Sequence, residues 1–298
     1  MNLFSIAGVA LFGLAALSPS TAAPAPKKAV KIVMIAGRPS HGPGEHEFNA
    51  GILLLADCLK KNVPGVEPVV VKGGWPQDES VFEGASSIVF YMDGGEGHPM
   101  IQSNHLETMK KYMDKGVGLV CMHYAVEFPK GQAGDQLLDW LGGYYETAWS
   151  TNPHWVADIK SYPKHPITNG VKPFAVRDEW YFNMRFRPEM KGVTAILVAK
   201  PDDEARAGAT SSPRGPYKHI VDASGREEIL AWATERPNGG RSFGFTGGHF
   251  HKNWGNEEQR KVVLNAILWS AHVPVPKNGV ESTVTAEQLD ANLDPKGR

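Results

Sequence analysis

Cysteine is nearly absent from this 298-residue chain: only Cys58 and Cys121 occur. Two cysteines exclude a disulfide framework, and both read as small core residues. Charge of one sign is lacking too, since the formal net charge is -1. That balance supplies no electrostatic footprint for nucleic acid or for an anionic membrane surface. Apolar runs of spanning length are missing. The one candidate, Leu3 to Leu17, is short for a bilayer and is followed by Ser18-Pro19-Ser20-Thr21-Ala22-Ala23. An uncharged apolar core and a small-residue stretch form a secretory signal over residues 1–22, although no Lys or Arg precedes it. Export to a periplasm or the exterior is therefore expected, with no membrane contact after cleavage. No internal repeat, long low-complexity segment or HExxH metal motif occurs, and no nucleotide cofactor is expected.

What is present is an alternation of strands and helices. Val30 to Gly37 is a short apolar run ended by glycine, the mark of a buried strand. Phe48, Ile52, Leu55 and Leu59 recur at helical spacing and predict a helix over about Glu47 to Lys61. Strands follow at Val66 to Val71, Ser87 to Met92 and Val117 to Met122, with a helix marked by Leu106, Met109 and Met113. This order predicts an α/β fold with a mostly parallel sheet between two helical layers. From Gly142 to Phe186 the texture changes to aromatic, β-prone stretches such as Trp155 to Ile159 and Trp180 to Phe186, so irregular and antiparallel β additions are expected there. Thr194 to Ala199, Ile229 to Thr234 and Ser242 to Thr246 read as strands, and Asn256 to Ala271 as the last long helix. One domain spans 29–275; the polar segment 276–298 lacks periodicity and reads as a loosely attached tail.

Ligands of an open parallel sheet bind beyond the carboxyl ends of its strands. Those ends carry His41, His46 and Glu47 after the first strand, then Asp93 to His98, then His123, Tyr124 and Glu127, and finally His249, His251 and Trp254. Six of eleven histidines thus fall at four strand ends. Each has a plain alternative. Glu47 is favoured at a helix start by the helix dipole, His98 before Pro99 reads as structural, and His123 could be a satisfied core histidine. Asp178-Glu179 lies in an aromatic run, where a buried carboxylate needs a cation, a metal or a proton donor. Glu179 is the expected acid/base residue with His123 beside it; Asp178 reads as an exposed turn residue. His46, His123, His249 and His251 are the candidate ligands for one divalent metal such as zinc, and the same groups suit metal-free acid/base work. Glu47, Tyr124, Trp180 and Trp254 are the expected substrate contacts, because flat rings beside polar groups suit a carbohydrate.

Four segments resemble the ThuA-like (trehalose utilisation) family: GRPSHGPGEHEFNAG, GVGLVCMHYAVE, RDEWYF and GFTGGHFHKNWGNEEQRKVVLNAILWSA. The resemblance runs from about Val30 to Val275. It implies a flavodoxin-like three-layer sandwich similar to class I glutamine amidotransferases, and a sugar-related role in which sugars oxidised at carbon 3 are cleaved. In amidotransferases a nucleophilic cysteine sits on a tight glycine-flanked turn. Here Cys121 stands between Val120 and Met122, without an adjoining glycine, and the later block GGHFHKN lacks the Pro-Glu that would orient its histidine. A cysteine amidotransferase is therefore not expected. An exported enzyme acting on a glycoside or 3-keto sugar fits best, and a non-catalytic carbohydrate-binding or scaffold protein is the alternative.

Overall fold

The computed structural model describes residue 1, residues 29–208 and residues 216–296. The expected signal segment lies outside the described residues. The central sheet has seven strands in the order β2-β1-β3-β4-β11-β10-β9. These are β1 (Val30–Ala36), β2 (Val66–Val71), β3 (Ala85–Tyr91), β4 (Gly118–Met122), β9 (Val193–Ala199), β10 (Glu228–Glu235) and β11 (Arg241–Phe245). β2, β1, β3, β4 and β11 pair in parallel, while β10 runs antiparallel to both β11 and β9. The fold class is as expected, and the departure from a parallel sheet is confined to one side.

Strand alternation builds two cores. Ile32, Met34 and Ala36 of β1 join the core that contains α1 (Phe48–Asn62) and α6 (Glu257–Ser270). Val33 and Ile35 face the other way, into the core with α2 (His105–Asp114) and α3 (Gln132–Trp140). Helices on both faces leave the strands apolar on both sides, which is why β1, β3 and β4 read as continuous apolar runs. Cys58 and Cys121 are free and buried in these two cores.

The middle of the chain adds two small antiparallel pairs. β5 (Gly143–Tyr144) pairs with β8 (Arg185–Phe186), and β6 (His154–Ile159) with β7 (Phe174–Glu179). The expected strand Trp180 to Phe186 does not form as a unit. β7 ends at Glu179, and beyond it Trp180 and Phe182 bury into one core while Tyr181 buries into the other. Short helices α4 (Asp203–Arg206), α5 (Lys218–Val221) and α7 (Ala286–Leu289) complete the described elements. The segment expected to hang loosely is instead docked. Val280 is buried, Thr285 and Gln288 form a capping box on α7, and the side chain of Lys296 is only 4% exposed. Its attachments are polar and ionic, and hydrophobic periodicity does not register such contacts. Among the described residues, no helix is long and apolar enough to cross a membrane.

Candidate metal centre

Three parallel strands and one added hairpin aim at a single point. The loop after β1 carries His46, the end of β4 delivers His123, the loop after β11 carries His249, and β7 ends on Glu179. The β1 and β11 loops are tied together: His46 N donates to the His249 carbonyl at 3.0 Å, and His251 N donates to the Gly44 carbonyl at 2.9 Å. His46 and His123 hold positive φ values of 45° and 55°. Such backbone costs of order 1–3 kcal/mol and persists only where the surroundings enforce it. The chain turns after β4 at His123 and not at Cys121, which stays within the strand, in line with the expectation that Cys121 would not sit on an elbow. Histidine is a residue type that tolerates this region better than branched ones. Cys121 lies two residues back, fully buried, and burial pushes its thiol pKa up.

Four atoms converge. His46 Nε2 lies 3.0 Å from His123 Nε2 and 3.0 Å from His249 Nδ1. Glu179 Oε2 lies 3.2 Å from His249 Nδ1 and 3.4 Å from His123 Nε2. The outer nitrogens fix the tautomers. His123 Nδ1 is 3.0 Å from the Thr246 carbonyl, and His46 Nδ1 is 2.9 Å from Asp93 Oδ1, which also accepts from Ser40 Oγ at 2.9 Å. Both acceptors require a proton on Nδ1, so both Nε2 atoms present lone pairs. Two lone pairs then face each other with no hydrogen between them, an arrangement a cation would stabilise. Ligands about 2.05 Å from a tetrahedral zinc stand about 3.3 Å apart, close to the spacings found here. The outer hydrogen bonds are of the kind that orients metal-bound histidines. The donor set therefore fits a divalent ion.

Electrostatics agree with that fit. Burial, then the nearby His123, His41 and His249, hold the His46 imidazole well below its usual pKa. Burial pushes the Glu179 carboxyl up, but hydrogen bonds and charge from His123 and His249 outweigh it and keep the group below the usual carboxylate range. Burial lowers His249, yet the hydrogen bond and charge of Glu179 raise it on balance. A neutral His46 and an ionised Glu179 are the protonation states that metal binding needs, and an ion bound at His249 would displace the proton that Glu179 favours there.

Other expected site residues land elsewhere. His251 turns away from the cluster and donates from Nε2 to the Leu289 carbonyl at 2.9 Å. Glu47 is 1% exposed and accepts from Gly44 N and Asp294 N, so it is a structural carboxylate. Trp180 and Trp254 are wholly buried: Trp180 donates to the Val176 carbonyl and packs on Phe245, and Trp254 packs on Tyr91. Tyr124 does stand at the cluster, with its ring 6.0 Å from that of His46. His98 is structural, as expected, with Nδ1 accepting from Met100 N and Nε2 donating to the Ala125 carbonyl.

Asp178 is the largest surprise. Expected as an exposed turn residue, it is 0% exposed and its carboxylate accepts from the backbone N–H groups of Gly248, His249 and Phe250 at 2.7, 3.0 and 3.3 Å. It holds the Gly-Gly loop that carries His249. Asp93, Asn152 (Nδ2 donating to Glu179 Oε1 at 3.0 Å) and Tyr181 (Oη 3.3 Å from His123 Nε2) complete the surroundings. Only Asp93, at a strand end, had a sequence signal. Glu127, also at a strand end, has its carboxyl pushed up to about 7 by burial and by the charge of Glu179, against a hydrogen bond from Thr147.

Solved structures resemble the chain, two ThuA-like proteins among them. A ThuA-like protein of Bacteroides uniformis aligns with TM-score 0.55 and 16% identity over 84% of this chain and 95% of that one. A ThuA-like protein of Parabacteroides merdae aligns with TM-score 0.52 and 18% identity over 82% and 90%. At these identities the likeness establishes the fold. No curated protein sequence matches the chain. The trehalose utilisation profile matches residues 41–270, most of the folded part, and the chain belongs to that ThuA family.

Proposed function

We propose that this protein is a metal-dependent enzyme of carbohydrate metabolism that cleaves a glycoside or 3-keto sugar after export. The convergence of His46 Nε2, His123 Nε2, His249 Nδ1 and Glu179 Oε2, with outer partners fixing two of the tautomers, carries this reading. A bound divalent ion would act there as a Lewis acid, polarising a sugar carbonyl oxygen. Family membership supports the carbohydrate class, and the apolar run Leu3 to Leu17 supports export.

In a 3-keto glycoside the proton on carbon 2 is acidified by the neighbouring carbonyl. Its removal leaves an electron pair that expels the carbon 1 substituent, and the departing oxygen must then be protonated. Glu179, first expected to move the proton, is better suited to hold the ion, because its Oε2 lies among the three imidazole nitrogens. Proton transfer passes to Glu127, which takes the carbon 2 proton as a carboxylate and returns it to the departing oxygen. Its carboxyl and the Tyr124 hydroxyl close over Gly95, where even a β-carbon would lie 3.5 Å from both. Burial, with the charges of Glu127, Asp93 and Glu179, pushes the Tyr124 hydroxyl up to about 12, so it stays a hydrogen-bond donor near neutral pH.

Metal content measured by plasma mass spectrometry on untagged protein tests the reading. About one divalent ion per chain is expected, with loss in His123→Ala and His249→Ala. Protein that stays metal-free after incubation with zinc, manganese, nickel and iron would refute it.

A further inference from the structure

The segment beyond α6 crosses back over the two loops that carry His46 and His249. Arg260 holds its start, donating to the Ser282 carbonyl and hydroxyl at 2.6 and 2.9 Å. The Leu289 carbonyl accepts from His251 in the β11 loop. Asp294 is gripped from both directions, its N–H donating to Glu47 Oε2 at 2.7 Å and its side chain accepting from Asn49 Nδ2 at 2.7 Å. At the far end the Lys296 ammonium donates to the carbonyls of Gly42 (3.3 Å) and Glu45, and pairs with Glu47 Oε1 at 3.3 Å. Lysine and glutamate are both buried there, with side chains 4% and 1% exposed.

We infer that Lys296 is a positioning residue of the metal centre: the C-terminal segment is a strap that holds the 42–47 loop in the one conformation that aims His46 at the ion. The inference rests on the metal reading above. His46 adopts its positive φ one residue from the Glu45 carbonyl and next to Glu47, both held by Lys296. A strained residue keeps its conformation only when neighbours over-determine it. The loop's other backbone ties to the rest of the fold run to the loop after β11, at His249 and His251, and the strap adds ties at the Gly42 and Glu45 carbonyls. A buried ammonium is costly unless every donor is matched, and here two carbonyls and a carboxylate meet it. Displacing the 42–47 loop would therefore leave Lys296 without partners as well, which couples strap and ligand loop into one unit.

Zinc affinity by competition with a chromophoric chelator, and the visible absorption of the cobalt(II)-loaded full-length chain, test this. Lys296→Ala and the milder Asn49→Ala are compared with wild type, alongside metal-free melting temperatures. Partners outside the ligand shell typically govern about 10–100-fold in metal affinity. Lys296→Ala is expected to weaken zinc by about tenfold and to alter the cobalt spectrum, with partial rescue by Lys296→Arg and a smaller loss in Asn49→Ala. Folded variants that bind zinc as tightly as wild type with an unchanged cobalt spectrum would overturn the strap's role, even if they melt earlier. A wild-type chain that binds neither metal would instead overturn the metal reading, and the strap inference with it.

Discussion

Glu127 and Glu179 are the same chemical group in opposite surroundings. Glu179 meets His123, His249 and Asn152 and is held ionised, whereas Glu127 is buried with a single hydroxyl donor and feels the Glu179 charge. Environments that split two carboxyls mark a proton-transfer group and an ion-binding or stabilising partner. If ionised Glu127 takes the carbon 2 proton, turnover of a 3-keto glycoside rises as pH rises through about 7. Glu127→Gln should flatten that limb and lower kcat by about 10²–10⁴-fold, while metal content stays at the wild-type level. A variant with an unchanged pH profile would remove Glu127 from the chemistry. Much at this scale was legible: His46, His123 and His249 were singled out by their places at strand ends, and Glu179 as a carboxylate inside an aromatic run. Asp178 was not, because the partners that make its burial tolerable are backbone N–H groups some 70 positions away, and no local pattern reports them.

Among the elements, the turn after β4 is braced by the short 3-10 segments that follow β3. His98 is the brace: its ring accepts from Met100 N and donates to the Ala125 carbonyl inside the turn. Burial holds its imidazole down to about 3. Between that value and the unfolded value of about 6.5, the unfolded chain binds a proton that the folded chain does not. Stability therefore falls as pH drops through this window. His98→Gln should flatten the acid side of a melting-temperature profile; an unaltered slope would assign the acid sensitivity to other groups. The sheet strands were legible to within about two residues because burial on both faces makes them unbroken apolar runs. Between β5 and β8 the antiparallel additions and β6 were legible from their aromatic, β-prone texture, whereas the expected strand Trp180 to Phe186 was not borne out as a unit.

At the scale of the molecule, an ion bound at the proposed centre and the fold would reinforce each other. A ligand that binds only the folded state stabilises it by about 2.7 kcal/mol at a hundredfold excess over Kd. Zinc at that excess should raise the melting temperature by several degrees, and a chelator should reverse the gain. His123→Ala should show neither effect, and a wild type indifferent to both would count against the centre. The docking of residues 280–296 was illegible for the same reason as Asp178: it depends on ion pairs and backbone carbonyls, not on apolar periodicity.

The distance along the chain between ligands sets an order of events. His46 and His249 are 203 positions apart, yet their imidazoles touch. Loops of that length close slowly and late in folding. Early in folding the nascent chain offers an incoming ion at most His46, His123 and Glu179, without the β11 loop to gather them. On the proposed metal reading, capture of the ion therefore comes near the end, once β11 has entered the sheet beside β4, and acts as a latch on a nearly finished structure.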